Sequence, residues 1–141
     1  MSADSHFELL DHPADIGFRA TAGSLEALFA TSAVALVSLI LDPTNIIDSQ
    51  QIELRASGRD LASLLVNWLN EVLYWVDSRR LALHNFHVGF PNEHEIRATA
   101  AGEPRSSGRH GSGVVVKGVT YHQLRIANED SKWTAEVYVD V

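Results

Sequence analysis

The sequence predicts an α+β fold, a two-layer sandwich in which two helices pack on a mostly antiparallel β-sheet. Three observations carry this. Two long segments repeat apolar residues at helical spacing. Several shorter ones alternate apolar and polar residues with the period of a half-buried strand. The strand-like segments beyond Arg80 follow one another across turns and loops, as in an antiparallel meander. The 141 residues suffice for one core, and 45% of them are apolar, so a single globular domain over residues 1–141 is expected.

The elements follow in order. Phe7 to Leu10 and Ile16 to Thr21 read as short strands, with Ile16, Phe18 and Ala20 on one face. Ser24 is a natural N-cap, and Glu26 lies in the first turn, where the helix dipole favours an acid. Leu25, Leu28, Phe29, Ala33, Leu36 and Ile40 then recur at helical spacing until Pro43. Ile52, Leu54 and Ala56 alternate with polar neighbours as a strand. Asp60 caps a second helix with Leu61, Leu65, Trp68, Val72 and Val76 on one face, and Asn67, Asn70, Glu71, Tyr74 and Ser78 on the other.

After Arg80 the period becomes 2. Phe86 to Phe90 and Ile96 to Ala100 form strands joined by a turn at Pro91-Asn92. Gly102 to Gly113, with four glycines, three serines and a proline, reads as a mobile surface loop. Val114 to Val119 and His122 to Ile126 read as strands. Asn128 to Lys132 is the last hairpin turn, leading into a strand from Trp133 to Val141.

Composition removes several function classes. With no cysteine there are no disulfides, thiolate zinc sites or thiol nucleophiles. A net charge of -7 opposes direct nucleic-acid binding, so any role in RNA metabolism is expected to run through a protein partner. Met1 to His6 shows no signal peptide, and polar residues interrupt every apolar run, which reads as a soluble, cytoplasmic protein without membrane contact. No nucleophile elbow, P-loop or dinucleotide fingerprint is present. Two of the seven histidines, His84 and His87, have ligand-like spacing, but in a regular strand they point to opposite faces. His94 and His110 read as surface residues.

The last strand brings a carboxylate, Asp140, to the second-last position, and Asp15 follows the first short strand. If the two segments meet in one sheet, two hard oxygen ligands meet with them. Together with a carbonyl or the terminal carboxylate of Val141, they suit calcium, magnesium or manganese. A solvated end residue is the plain alternative for Asp140. In Val116-Lys117-Gly118-Val119-Thr120-Tyr121-His122, a lysine lies among valines and must reach a carboxylate or water.

Asp11-His12-Pro13-Ala14-Asp15-Ile16-Gly17, the Lys117 segment, Val139-Asp140-Val141, the helix from Asp60 to Leu73 and Gly102-Glu103 together resemble the archease family in order and spacing. Pro13 stands where that family usually has threonine, and Gly118 where it has alanine. The resemblance implies a non-catalytic activator of an RtcB-type RNA ligase, promoting ligase guanylylation and multiple turnover in tRNA splicing or RNA repair. The ligase itself uses GTP and manganese. The resemblance also implies that Asp15 and Asp140 hold a divalent metal, calcium or manganese. His12 and Lys117 would belong to the same partner-facing surface, together with Tyr121 and His122 of the lysine segment. A stand-alone metal-dependent hydrolase, with the same carboxylates and His122 or His12 as base, is the rival from another class.

Overall fold

The structure, a computed structural model, describes residues 5–11 and 15–141. In chain order the elements are β1 (His6–Asp11), β2 (Ile16–Ala22), α1 (Leu25–Ile40), β3 (Gln50–Ser57), α2 (Leu61–Leu73), β4 (Leu81–Asn92), β5 (Glu95–Pro104), a single helical turn α3 (Ser107–His110), β6 (Gly118–Val119), β7 (Arg125–Glu129) and β8 (Lys132–Asp140). The α+β class and the antiparallel pairing hold. The strands, however, fall into two sheets. One orders β1-β2-β8-β6, with β7 also paired to β8, and the other orders β3-β5-β4.

The division explains α1. This helix packs against β2 of the first sheet and β4 of the second. Leu28, Phe29, Ala33, Leu36 and Ile40 are buried as the spacing predicts, and so are Thr31, Ser32, Ala35 and Val37. A helix flanked by two sheets is apolar nearly all round because it has almost no solvent side. Its start is capped by Ser24 Oγ, which accepts from the Ala27 amide at 3.1 Å. Its last carbonyls take partners from a distant loop: the Gly113 amide donates to Ile40 O and the Val114 amide to Leu39 O, each at 2.8 Å.

Those bonds correct the reading of Val114 to Val119 as one strand. Its first residues cap α1, so only Gly118 and Val119 join the sheet. Likewise, His122 to Leu124 lies in a turn closed by the Leu124 amide on Tyr121 O, with Gln123 at φ 51, and β7 begins only at Arg125.

α2 is amphipathic as expected. Asp60 accepts from the Ser63 amide at 2.8 Å and Ser63 Oγ accepts from the Asp60 amide at 3.1 Å, a reciprocal capping box. Leu65, Trp68, Val72 and Val76 are buried, the last in a π-turn, Tyr74–Ser78, that prolongs the helix. The Trp68 indole donates to Phe29 O at 3.0 Å, tying the two helices through a buried bond.

The β4–β5 turn is Glu93-His94 rather than Pro91-Asn92. Asn92 Oδ1 accepts from the His94 amide at 2.8 Å, and Pro91 is tolerated because β4 is an edge strand. The β7–β8 turn narrows to Asp130 and Ser131, at φ 52 and 65. Two successive left-handed residues fit a primed hairpin turn, which Gly favours in its second central position. Ser131→Gly should therefore stabilise the fold by about 1 kcal/mol, the approximate penalty for a left-handed L-residue. Urea unfolding of the variant beside the wild type measures this, and an unchanged midpoint would contradict the assigned strain.

Candidate functional site

β8 is the strand on which the candidate residues converge. On one edge it pairs with β2 through Ile16↔Val139, Gly17↔Tyr138 and Phe18↔Val137. On its other edge β6 pairs Gly118↔Asp140 and Val119↔Val139. Continued one step past Ile16, the β2 register sets Asp15 opposite Asp140, and side chains directly opposite one another share a face. Ile16, Phe18, Val137 and Val139 face the core, so Asp15, Arg19, Glu136, Tyr138 and Asp140 belong to the outward face.

The sequence-selected residues occupy this corner to differing degrees. Asp15 Oδ1 lies 3.4 Å from His122 Nε2, with the Asp15 side chain 30% exposed. The His122 ring meets Tyr138 edge-on, at 6.2 Å between centroids. Asp140 is exposed, and its carbonyl accepts from the Lys117 amide at 2.7 Å. Lys117 is exposed as well, so its ammonium reaches water. Tyr121 and Val141 are exposed, the latter beyond the end of β8. His12 lies outside the described residues. Among those described, no group of three or more acidic or histidine residues is arranged to hold a metal ion.

Several residues that the pattern did not single out build the corner. Asn70, on the polar face of α2, accepts from the Val119 amide at 2.9 Å and donates to the Val119 carbonyl at 3.3 Å. One side-chain amide thus serves Val119 as a neighbouring strand would, and it fixes β6 to the helix. Thr120 Oγ1 donates to Tyr138 O at 3.2 Å and accepts from the His122 amide at 3.3 Å, which holds the turn carrying His122 against β8. Gly17 is required by close approach, since a Cβ there would lie 2.0 Å from Val137 O.

A charged chain runs along the same face. Arg19 bonds Glu8 at 2.6 Å and lies 3.5 Å from Glu136, while the Tyr138 hydroxyl donates to Glu136 at 2.8 Å. That bond to Glu136 raises the Tyr138 hydroxyl above its ordinary pKa, so the phenol keeps its proton. Arg19 is raised too, chiefly by its hydrogen bond to Glu8.

The glycine-rich segment is the largest departure from expectation. Glu103 is buried and His110 fully so. Glu103 accepts from the Ile47 amide at 2.8 Å, pairs with Arg109 at 2.6 Å and meets His110 Nε2 at 3.0 Å. The Ser106 amide donates to His110 Nδ1 at 3.0 Å, which leaves Nε2 to donate to Glu103. His110 is therefore an interior strut, not a surface residue, and the presumed mobile loop is tied to the fold. His94 is exposed as expected.

His84 and His87 also depart from the simple rule. A bulge between them adds a residue, so His84 stands opposite Ala101 and His87 opposite Thr99, on one face of the second sheet. His84 Nε2 is engaged by Asp48, and no metal cluster forms there among the described residues.

The chain matches the Archease protein family (MTH1598/TM1083) over residues 7–141. It is 35% identical to the protein archease of Methanopyrus kandleri over 138 residues, covering 96% of this chain and 99% of that one. Against the protein archease of Methanosarcina mazei it is 33% identical over 144 residues, covering 99% of each. The solution structure of Methanobacterium thermoautotrophicum protein 1598 superposes with a TM-score of 0.76 at 28% identity, over 96% of this chain and 98% of that one. A crystal structure described as an archease and possible chaperone from Thermotoga maritima shares the fold, with a TM-score of 0.64 at 18% identity over 94% of each chain.

Two outcomes follow from this geometry. Hydrogen bonding from the Ile47 amide, above all, holds the Glu103 carboxyl down at about 2, despite its burial. A lowered pKa stabilises the fold above the ordinary value of 4.5, and that stability is lost as pH falls from there through about 2. Glu103→Gln should thus be less stable than wild type at pH 7, with the gap closing towards pH 2 in urea unfolding. A gap independent of pH would contradict the assignment. At Gly118, a Cβ would meet nothing nearer than Asn70 Oδ1 at 4.0 Å. Gly118→Ala should raise stability by about 0.4–1 kcal/mol through the unfolded chain, seen as a higher unfolding midpoint.

Proposed function

Because the chain belongs to the archease family, we propose that it is a non-catalytic activator of an RtcB-type RNA ligase. In this reading a single domain, acting in the cytoplasm, promotes guanylylation of the ligase and its multiple turnover in tRNA splicing or RNA repair. GTP and manganese belong to the ligase's own chemistry, and RNA is reached only through the ligase. The observation that carries the reading is the full-length family match, from residue 7 to 141. The net charge of -7 supports it, since an acidic surface suits a partner whose own cleft must be basic to hold RNA.

The partner-facing surface is proposed to be the corner of the first sheet, with Lys117, Tyr121 and His122 exposed around Asp15 and Asp140, and His12 is proposed to serve the same surface. Asp15 and Asp140 are proposed to hold a divalent cation, calcium or manganese, with Val141 next to them. The donors fit in kind, being two carboxylates that the continued β2–β8 register would bring to one face. They do not fill a coordination shell among the described residues, so backbone carbonyls, water or the partner would supply the remainder. When bound, the cation would cancel carboxylate charge and offer an electrophilic centre at this face. The protein's own residues do the positioning: Asn70 fixes β6, Thr120 fixes the His122 turn, and β8 holds Asp140 between Gly118 and the start of β2.

The test combines the protein with its cognate ligase and measures guanylylation and multiple-turnover ligation. Wild type should accelerate both, and Asp15→Asn and Asp140→Asn should each lose most of the acceleration while unfolding at the wild-type temperature in the absence of metal. Manganese or calcium at 100 times its Kd should stabilise the wild type by about 2.7 kcal/mol, and neither variant should respond. Full activation by both variants would remove the carboxylates from the mechanism. RNA cleavage by this protein without the ligase would replace the activator with the hydrolase, whose candidate bases are His12 and His122, the latter 3.4 Å from Asp15.

A further inference from the structure

The solvent face of the second sheet carries an arrangement that the activator reading does not use. Registers across β3, β5 and β4 place Arg55 directly opposite Arg97, and Arg97 directly opposite Gly89. The next row on the same face is Glu53, Thr99 and His87. Like charges directly across a strand pair repel and destabilise the sheet. Here both arginines are exposed, and among the described residues neither guanidinium has a carboxylate within ion-pair reach. The nearest carboxylates on that face, Glu53 and Glu95, lie in the adjacent rows and form no ion pair with either arginine among the described residues.

Gly89 is the second observation. Glycine within a strand weakens it and marks places where something approaches closely. Gly89 borders a second register shift in β4, between Gly89 and Asn92, and no close packing demands glycine there. A Cβ would meet only Arg97 O, at an ordinary 3.6 Å, and Gly89 is not among the positive-φ residues. What its missing side chain does is keep the row open beside Arg97. A concavity of about 440 Å³ lies there, lined by Arg55, Arg97, Gly89, His87, Thr99 and Glu53, among others.

We infer that this concavity binds a compact phosphate group, held between Arg55 and Arg97 with Thr99 and His87 as further hydrogen-bonding groups. Two guanidiniums offer planar forks suited to oxyanion edges, and a phosphate between them converts their repulsion into attraction. His87, just past the bulge that follows His84, stands opposite Thr99 on the face of the two arginines. Glu53 in the adjacent row and Glu95, two residues along β5 from Arg97, flank the pair with negative charge. That limits the ligand to one phosphate rather than a run of phosphodiesters along a nucleic-acid backbone.

The test uses the full chain and inorganic phosphate, with sodium chloride at matched ionic strength as the reference. Amide chemical shifts of Arg55, Gly89, Arg97 and Thr99 should move saturably with phosphate. Arg55→Gln and Arg97→Gln should each weaken binding by about tenfold, as loss of a charged hydrogen bond predicts. Gly89→Val, which fills the opening, should weaken it as well. A nucleoside triphosphate binding more tightly than inorganic phosphate, with the same arginine dependence, would identify a nucleotide as the source of the group. No saturable shift, or wild-type affinity in both arginine variants, overturns the inference. Tighter binding of a single-stranded RNA lacking terminal phosphates would also overturn it, since the site would then be reading a polyanion.

Discussion

The structure depends on β8 being paired along both edges. β2 lies along one edge from Ile16↔Val139 to Ala22↔Trp133, while β6 and β7 share the other. A strand with partners on both sides satisfies its backbone groups without water, so it can hold Ala135, Val137 and Val139 in the core with little freedom. Its alternate residues then receive fixed outward positions. Glu136 and Tyr138 are neighbours of Arg19 and Gly17 because the ladder sets that register, and its continuation brings Asp15 towards Asp140. The candidate site is therefore a by-product of sheet pairing. Residues more than 100 positions apart in the chain meet because their strands do.

The weak part of that ladder is β6, only two residues long. So short a strand would fray if backbone pairing alone held it. Asn70 supplies what the sheet lacks, satisfying both backbone groups of Val119 with one amide. Replacing asparagine by leucine would keep the bulk but strip both bonds, leaving two part-buried polar groups without partners. The polar face of α2 is thus more than a solvated surface: Asn67 bonds Ser57 O at the end of β3, and Asn70 bonds β6. The helix reaches one strand in each sheet through a pair of amides one turn apart.

Much of this was legible in the sequence, for a definite reason. Periodicity reports local exposure, so the alternation of β8, the stripe of Leu65, Trp68, Val72 and Val76, and the caps at Ser24 and Asp60 all read correctly. The sharing of strands between two sheets did not show, because periodicity says which face is buried and not against what. α1 did carry a trace of it, in an apolar character too complete for a helix with one free side. The segment from Gly102 to Gly113 misled for the opposite reason. Its glycines and serines signal a loop, but its order comes from Glu103, Arg109 and His110, whose partners include Ile47, 56 residues away. The faces of His84 and His87 were misjudged because a bulge resets the count, and only the partner strand reveals it.

The two sheets use charge in contrasting ways. On the first, Arg19 lies between Glu8 and Glu136, and Tyr138 adds its hydroxyl, so opposite charges neutralise one another along the face. Asp15 and Asp140 lie at the end of that chain, where among the described residues His122 approaches the Asp15 carboxylate. On the second, Arg55 and Arg97 confront one another, and among the described residues neither is ion-paired to a carboxylate. Exposed charges are cheap to leave unpaired individually, because water screens them. Two of one sign in direct cross-strand register are different, since substituting either one would relieve the repulsion at no loss of core packing. Stability alone therefore gives no reason for that pair. A protein whose net charge is -7 has carboxylates to spare for neutralising the two arginines, and the fold leaves them facing an open hollow instead.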